Sequence, residues 1–411
     1  MNKKLLITII VIILLVGCTN KDKKERNEKE EKNNIIDTDS NQENELEKRI
    51  KTTMENMTLD EKIGQMIIVS YASSKVDNTL KNALTDVQPG GFILFGDNIT
   101  TYENTLNFIK EVKSYVKIPM FISIDEEGGK IQRLLYLKDF SITDIPDMYD
   151  IGNMNDEELT YGVGKIIAEE LRVFGINMDF APVIDVYSNI NNKVIGKRSF
   201  GMTKEIVSKH GLLLAKGLED NGVIAVYKHF PGHGNTATDS HEDLPIVNKT
   251  KEELLESDLV PFIDAINNNA NVIMIGHLAV PNITKDNTPA SLSKELITDF
   301  LKKELNYDGL VITDALNMKA LTNYYSDEEI CGKAVEAGVD ILLMPSSSRK
   351  CLKSVQDALK KGLITEERIN ESVEKILRLK YQKIEKNYND YLGVEYLSSK
   401  EHKEIISKVK R

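Results

Sequence analysis

The chain has 411 residues, with 53 Lys and Arg against 64 Asp and Glu and a formal net charge of −11. No basic excess is present to neutralise phosphates, which argues against nucleic acid as the main ligand. Hydrophobic residues at 41% and charged residues at 28% suit a globular body rather than a multispanning or wholly disordered chain, and 3 cysteines are too few for a disulfide framework.

Two lysines, Lys3 and Lys4, precede an apolar run from Leu5 to Val16. About a dozen apolar residues fit a secretory leader, whereas a spanning helix needs ~20. The run ends Leu15-Val16-Gly17-Cys18, which resembles the lipobox of bacterial lipoproteins. The resemblance implies a signal peptide over residues 1–17, a lipidated Cys18 and attachment to the extracytoplasmic face of a bacterial cell membrane. Each buried CH₂ of an attached chain contributes ~0.8 kcal/mol, so two or three chains hold the protein there. Residues 18–54 are rich in Lys, Glu, Asn and Asp and cannot offset their ordering entropy by burial; they read as a disordered tether.

From Thr58 onward, short apolar runs alternate with longer segments of helical period. The pattern predicts strands at Met66–Ser70, Gly91–Phe95, Met120–Ile124, Ile176–Phe180, Val223–Tyr227, Val272–Ile275, Leu310–Thr313 and Asp340–Met344. Helices are predicted at Glu103–Val116, Asp156–Phe174, Lys204–Asn221, Lys251–Asn268, Ser293–Leu305 and Asp327–Ala337, with a closing pair at Lys350–Lys361 and Glu366–Lys380. Apolar strands alternating with amphipathic helices imply a parallel sheet, and about eight such units imply an α/β fold, a closed (β/α)₈ barrel of the TIM type. An open doubly wound sheet is the alternative, but no Gly-x-Gly-x-x-Gly turn follows the first strand. The expected layout is one catalytic barrel over residues 55–381 and a polar, partly helical tail over 382–411. Cys331 and Cys351 read as small, buried, unpaired side chains.

Chemistry in such barrels sits at the C-terminal ends of the strands. Strand three ends in Asp125-Glu126-Glu127-Gly128-Gly129, strand five in Lys228-His229-Phe230-Pro231-Gly232-His233-Gly234, strand six in Gly276-His277 and strand seven in Thr313-Asp314-Ala315. Four of the 6 histidines lie in or just after strands five and six. His229 and His233 are four apart, a metal-ligand spacing on a helix, but Pro231, Gly232 and Gly234 argue against a helix there, and no metal or other cofactor is expected. Asp239 lies two residues before His241, so its carboxylate can orient the imidazole and raise its proton affinity, making His241 a general acid/base candidate. Asp314, on a rigid strand end, suits attack at an anomeric carbon. Lys228, Arg133 and Arg198 are donors for hydroxyls or a carboxylate.

Lys228 through His241 closely resembles the signature of family 3 glycoside hydrolases, in their β-N-acetylhexosaminidase branch. Ile124–Arg133, Asn177–Val183, Gly196–Phe200, Val311–Ala315 and Ala337–Asp340 with Met344-Pro345 resemble further family segments in the same order. The resemblance spans roughly Thr58 to Lys380 and implies a role for each matching position. Asp314 is the nucleophile that forms a covalent glycosyl-enzyme, His241 the acid/base and Asp239 its partner. Asp125, Arg133, Arg198, Lys228 and His229 hold the N-acetylglucosamine unit. Three positions depart from the family pattern: Glu126 stands where Gln or His is common, Lys197 where Glu is common, and Asn235 where Asp is common.

The resulting expectation is a monomeric, membrane-tethered, retaining β-N-acetylglucosaminidase acting on muropeptides or other glycans that contain N-acetylglucosamine. Some relatives accept phosphate in place of water, so a phosphorylase on the same scaffold is one alternative. A second is a substrate-assisted hexosaminidase using Asp125 and Glu126, although neighbouring strand residues point to opposite faces and Asp314 would be left unused. A non-catalytic sugar-binding lipoprotein is a third.

Overall fold

The structure is a computed structural model that describes residues 43–236 and 243–409. The chain divides into two units, Met1–Asn56 and Met57–Arg411. In the first, residues 43–55 form a helix, within which the Thr52 hydroxyl donates to the Lys48 carbonyl (2.8 Å).

In the second unit, eight strands form one parallel sheet: β1 (Ile67–Ser70), β2 (Gly91–Leu94), β3 (Phe121–Ile124), β4 (Met178–Asp179), β5 (Ile224–Phe230), β6 (Val272–Ile275), β7 (Leu310–Thr313) and β8 (Leu342–Leu343). Each pairs with its successor in sequence, and β8 returns to β1 through Ile67↔Leu342 and Ile68↔Leu343. The last seam, between β7 and β8, is narrow: a single parallel bridge, Ile312↔Ile341, supported by the Leu343 amide donating to Thr313 Oγ1 (3.1 Å). The result is a nearly closed (β/α)₈ barrel. Its strands are buried along almost their whole length, as β-branched and aromatic sequences such as Phe121-Ile122-Ser123-Ile124 and Val272-Ile273-Met274-Ile275 require when helices cover the outer surface.

Helices start where the sequence supplies a cap. Thr58 with Glu61 and Thr250 with Glu253 form reciprocal capping boxes, and the Asp77, Thr101 and Asp156 side chains accept the first free amides of their helices. Helices Glu157–Val173 and Lys204–Asp220 cross closely because Gly164 and Gly217 meet there; a Cβ on Gly217 would lie 2.3 Å from the Tyr161 carbonyl oxygen. The helix expected over Lys251–Asn268 is two, Lys251–Glu256 and Val260–Asn267, interrupted at Ser257, whose backbone leaves the helical region (ψ −91°). Pro261 suits the first turn of the second piece, where a missing N–H costs nothing.

Cys331 and Cys351 are joined by a disulfide, which corrects the expectation of unpaired thiols. They sit on helices Asp327–Ala337 and Ser348–Lys360, which follow β7 and β8 and pack side by side with both sulfurs on buried faces. Adjacency around the barrel, rather than the 20-residue spacing, brings them together.

The segment after residue 381 is polar in composition but bonded to the body. Tyr388 Oη accepts the Met120 amide (3.0 Å), and the Ser398 amide donates to Glu170 (2.7 Å). His402 lies between Glu169 (2.8 Å) and Glu170 (3.3 Å). Lys380, fully buried, donates to Gln65 Oε1 (2.7 Å) beside the Phe121 ring, and burial holds its ammonium well below the usual lysine range.

Candidate active site

The C-terminal ends of the barrel strands carry a connected set of charges. After β3 the chain turns into a short hairpin, Glu126–Gly128 paired with Ile131–Gln132, whose turn needs positive φ at Gly128 (90°) and Gly129 (55°). Gln132 pins the hairpin from behind: its amide nitrogen donates to the Ile145 carbonyl (3.1 Å) and its oxygen accepts the Ile145 amide (3.0 Å). Three consecutive acids therefore leave β3 in different directions. Asp125 meets Lys228 Nζ (2.8 Å) and lies 3.8 Å from the Arg133 guanidinium. Glu126 accepts the backbone amides of Arg133 (2.7 Å) and Leu134 (3.0 Å). Glu127 takes a two-pronged contact from Arg198, Nε at 2.7 Å and Nη2 at 2.8 Å, and a third from Lys228 Nζ at 2.5 Å.

Lys228 and Glu127 are each 2% exposed at the side chain, so this is a desolvated charge cluster rather than a surface pair. Burial pushes Glu127 up, but Arg198 and Lys228 outweigh it and hold the carboxyl well below the usual range. Burial alone would also lower Lys228; Asp125 and Glu127 keep it above its ordinary value, hence charged.

Asp185, between β4 and β5, organises the next group. Its fully buried carboxylate accepts the His229 ring at Nδ1 (2.7 Å), the His229 amide (3.2 Å) and the His233 amide (2.6 Å). With Nδ1–H committed to Asp185, His229 keeps Nε2 free of that bond as an acceptor. Burial pushes the Asp185 carboxyl up, and His229 more than offsets it. Asn192 donates to the His233 carbonyl (2.7 Å) and Thr236 bonds His233 Nδ1 (2.7 Å), which fixes the base of the loop after β5.

Asp314 follows β7 and is half-buried. Its amide donates to the Ile275 carbonyl (2.9 Å), which ties the residue's backbone to the end of β6, and its Oδ1 accepts the Ala315 amide (2.7 Å), which holds the carboxylate. Burial raises its proton affinity, while His277, His229 and Lys228 lower it, and the balance favours the ionised form. His277 bonds the Ala315 carbonyl through Nε2 (3.0 Å) and Ser291 Oγ through Nδ1 (2.8 Å), so both ring nitrogens are engaged. An ionised, rigidly held carboxylate facing charged donors is equipped to attack an electrophilic carbon or to stabilise positive charge there.

Six of the residues singled out from the sequence, Asp125, Arg133, Arg198, Lys228, His229 and Asp314, therefore come together on one barrel face. Arg198 and Lys228 reach it already engaged by Glu127. Asp239, His241 and Cys18 lie outside the described residues. Among the described residues no group of three or more His, Cys, Asp and Glu is arranged to hold a metal ion. Sequence reasoning missed Glu127 and Asp185. Glu127 had a signal, since an acid next to paired glycines at a strand end is placed to meet the cations of neighbouring strands. Asp185 had none, because its partners lie 44 and 48 residues downstream.

Residues 58–379 match the glycosyl hydrolase family 3 N-terminal domain. The chain belongs to glycosyl hydrolase family 3. It is 30% identical over 365 residues to beta-hexosaminidase A of Pseudoalteromonas piscicida, a match covering 79% of this chain and 61% of that one, so it spans less than two thirds of that relative. It is 31% identical over 284 residues to a beta-hexosaminidase of Hydrogenovibrio crunogenus, covering 68% and 78% of the two chains. A solved family 3 beta-N-acetylglucosaminidase from Paenibacillus sp. superposes with a TM-score of 0.80 at 34% identity, covering 86% of this chain and 68% of that one.

Proposed function

We propose that this glycoside hydrolase is a retaining exo-β-N-acetylglucosaminidase, tethered to the outer face of a bacterial membrane through Cys18 and acting on muropeptides or related glycans. The observation that carries the catalytic part is Asp314: an ionised carboxylate at the end of β7 that accepts the Ala315 amide, with His277, His229 and Lys228 lowering its proton affinity. In this reading Asp314 attacks the anomeric carbon, the C1–O bond breaks, and the glycosyl unit is held as an ester. His241, oriented by Asp239, gives its proton to the departing oxygen and then takes one from the incoming water. Asp125, Arg133, Lys228 and His229 hold the sugar, and Glu127 keeps Arg198 and Lys228 in place. The relatives' printed activities support the choice of an acetamido sugar. The leader pattern supports the tether, and a buried disulfide suits an oxidising compartment outside the cytoplasm.

The test is release of nitrophenol from the β-N-acetylglucosaminide and the β-glucoside, with and without phosphate. Fast release from the acetamido sugar, indifferent to phosphate, is expected. Acceleration by phosphate would move the assignment to a phosphorylase, and binding without release would leave a sugar-binding protein.

A further inference from the structure

Glu126 is used by none of the steps above, yet it is buried and central. Its carboxylate oxygen Oε2 accepts two successive backbone amides, those of Arg133 and Leu134, across the hairpin. Those amides open the turn Leu134–Tyr136, so Glu126 acts as a side-chain cap for the segment that presents Arg133. Arg133 needs such support: its guanidinium is 3.8 Å from Asp125, and its Nε is buried without a hydrogen-bond partner. Apart from Asp125 and the Phe95 ring, 5.6 Å away at its centroid, the guanidinium depends on the backbone that carries it, and that backbone is held by Glu126.

The surroundings leave Glu126 little help in carrying charge. Its own amide donates to Asp179 Oδ1 (2.9 Å), and Asp179 is completely buried, with Oδ2 lacking a partner. Burial raises the proton affinity of Asp179 well above that of an ordinary carboxylate; Glu126 and Asp125 push the same way, and Lys228 opposes them. Glu170, on the helix Glu157–Val173, adds a like charge, and Arg133 supplies an opposing one. Burial dominates and pushes Glu126 up to about 8, against two backbone amides that favour the anion.

We propose that Glu126 is a positioning residue for substrate binding, whose ionisation tightens the turn bearing Arg133 and so strengthens the hold on the N-acetylglucosamine unit. The inference rests on the proposed function for the identity of the sugar. An ionised acceptor bonds amides more strongly than a neutral carboxylic acid, so affinity rises with pH through the interval in which Glu126 loses its proton. A glutamine there keeps an oxygen acceptor but cannot ionise.

The experiment uses the full chain in detergent and measures the Kd for free N-acetylglucosamine, together with kcat and KM on the nitrophenyl glycoside, from about pH 6 to 9.5. Wild-type affinity for the sugar is expected to improve about two- to tenfold across the ionisation of Glu126. Glu126→Gln is expected to lack that rise, so the wild-type to variant ratio of Kd changes with pH. Glu126→Ala removes the cap and is expected to raise KM at every pH by more than it lowers kcat. A Kd ratio between wild type and Glu126→Gln that stays constant with pH would overturn the proposal, as would a pH-independent wild-type Kd. The wild-type titration needs no variant and stands even where Glu126→Ala fails to fold. Sugar binding without turnover would reject the proposed reaction while still testing this inference, and no sugar binding at any pH would reject both.

Discussion

Replacing Glu127 by glutamine is the perturbation with the most calculable effect. Glu127 neutralises two buried cations through three contacts of 2.5–2.8 Å, and none of the three side chains is more than 20% exposed. Glutamine preserves the shape and one acceptor oxygen but not the charge, so Lys228 keeps Asp125 as its paired anion and Arg198 loses its bidentate carboxylate, keeping the Val194 carbonyl. Removing one partner of a buried ion pair costs about 3–5 kcal/mol, because the remaining charge stays desolvated. At an unfolding entropy of ~2.1 cal/mol/K per residue, a barrel of this size should melt lower by about 4–7 °C. Lys228 would be free to swing towards Asp125, and kcat/KM is expected to fall on the order of 100-fold, as displacement of a substrate-positioning group by about 1 Å implies. Differential scanning calorimetry and steady-state kinetics on the same preparation read both effects. A melting temperature within about 1 °C of wild type together with a kcat/KM within about twofold would refute the reasoning.

Asp185→Asn should remove the anion that holds His229 in its Nδ1–H tautomer and anchors the His233 amide; kcat/KM falls by one to two orders of magnitude, about 1.4 kcal/mol each, while the melting temperature falls more modestly. NMR of the imidazole nitrogens would report the lost tautomer preference, and an unchanged tautomer would contradict the assignment. Replacing Cys331 and Cys351 together by alanine opens a loop of 20 residues and should cost about 3 kcal/mol of stability with little change in KM, as read by denaturant titration. His402 is pulled down by burial, but Glu170 and Glu169 raise it above its ordinary value. Its charged form therefore stabilises the fold fully below the unfolded value, about 6.5, and that contribution is lost as pH rises through the higher folded value. The gap in melting temperature between wild type and His402→Gln should accordingly narrow from pH 6 to pH 9.

The barrel was legible because both of its periodicities are strong in the sequence. Every expected strand exists, but β4 and β8 contract to the pairs Met178-Asp179 and Leu342-Leu343. Apolar flanks such as Ile176 and Ile341 are buried as their pattern demands, yet lie outside the regular ladder. β5 errs the other way. It continues to Phe230 because Lys228 and His229, polar residues that read as loop, are buried on the partners they serve, Asp125, Glu127 and Asp185. The single helix expected over Lys251–Asn268 splits because apolar periodicity runs through Ser257 although the backbone does not. Candidates such as Asp125, Lys228, His229 and Asp314 were legible from motifs at strand ends, whereas the residues that hold them, Glu127 and Asp185, depend on contacts between strands that no local pattern encodes. The disulfide was missed for the same reason.

In the proposed reaction Asp314 forms a covalent bond to the sugar. Rapid-quench mass spectrometry during turnover of an activated aryl β-N-acetylglucosaminide tests it directly, in wild type and in His241→Ala, where loss of base assistance should let the intermediate accumulate. A peptide from β7 carrying one N-acetylhexosamine on Asp314, more abundant in the variant, is expected. Turnover with that peptide unmodified in both proteins, or the sugar attached to another residue, would contradict the proposed reaction.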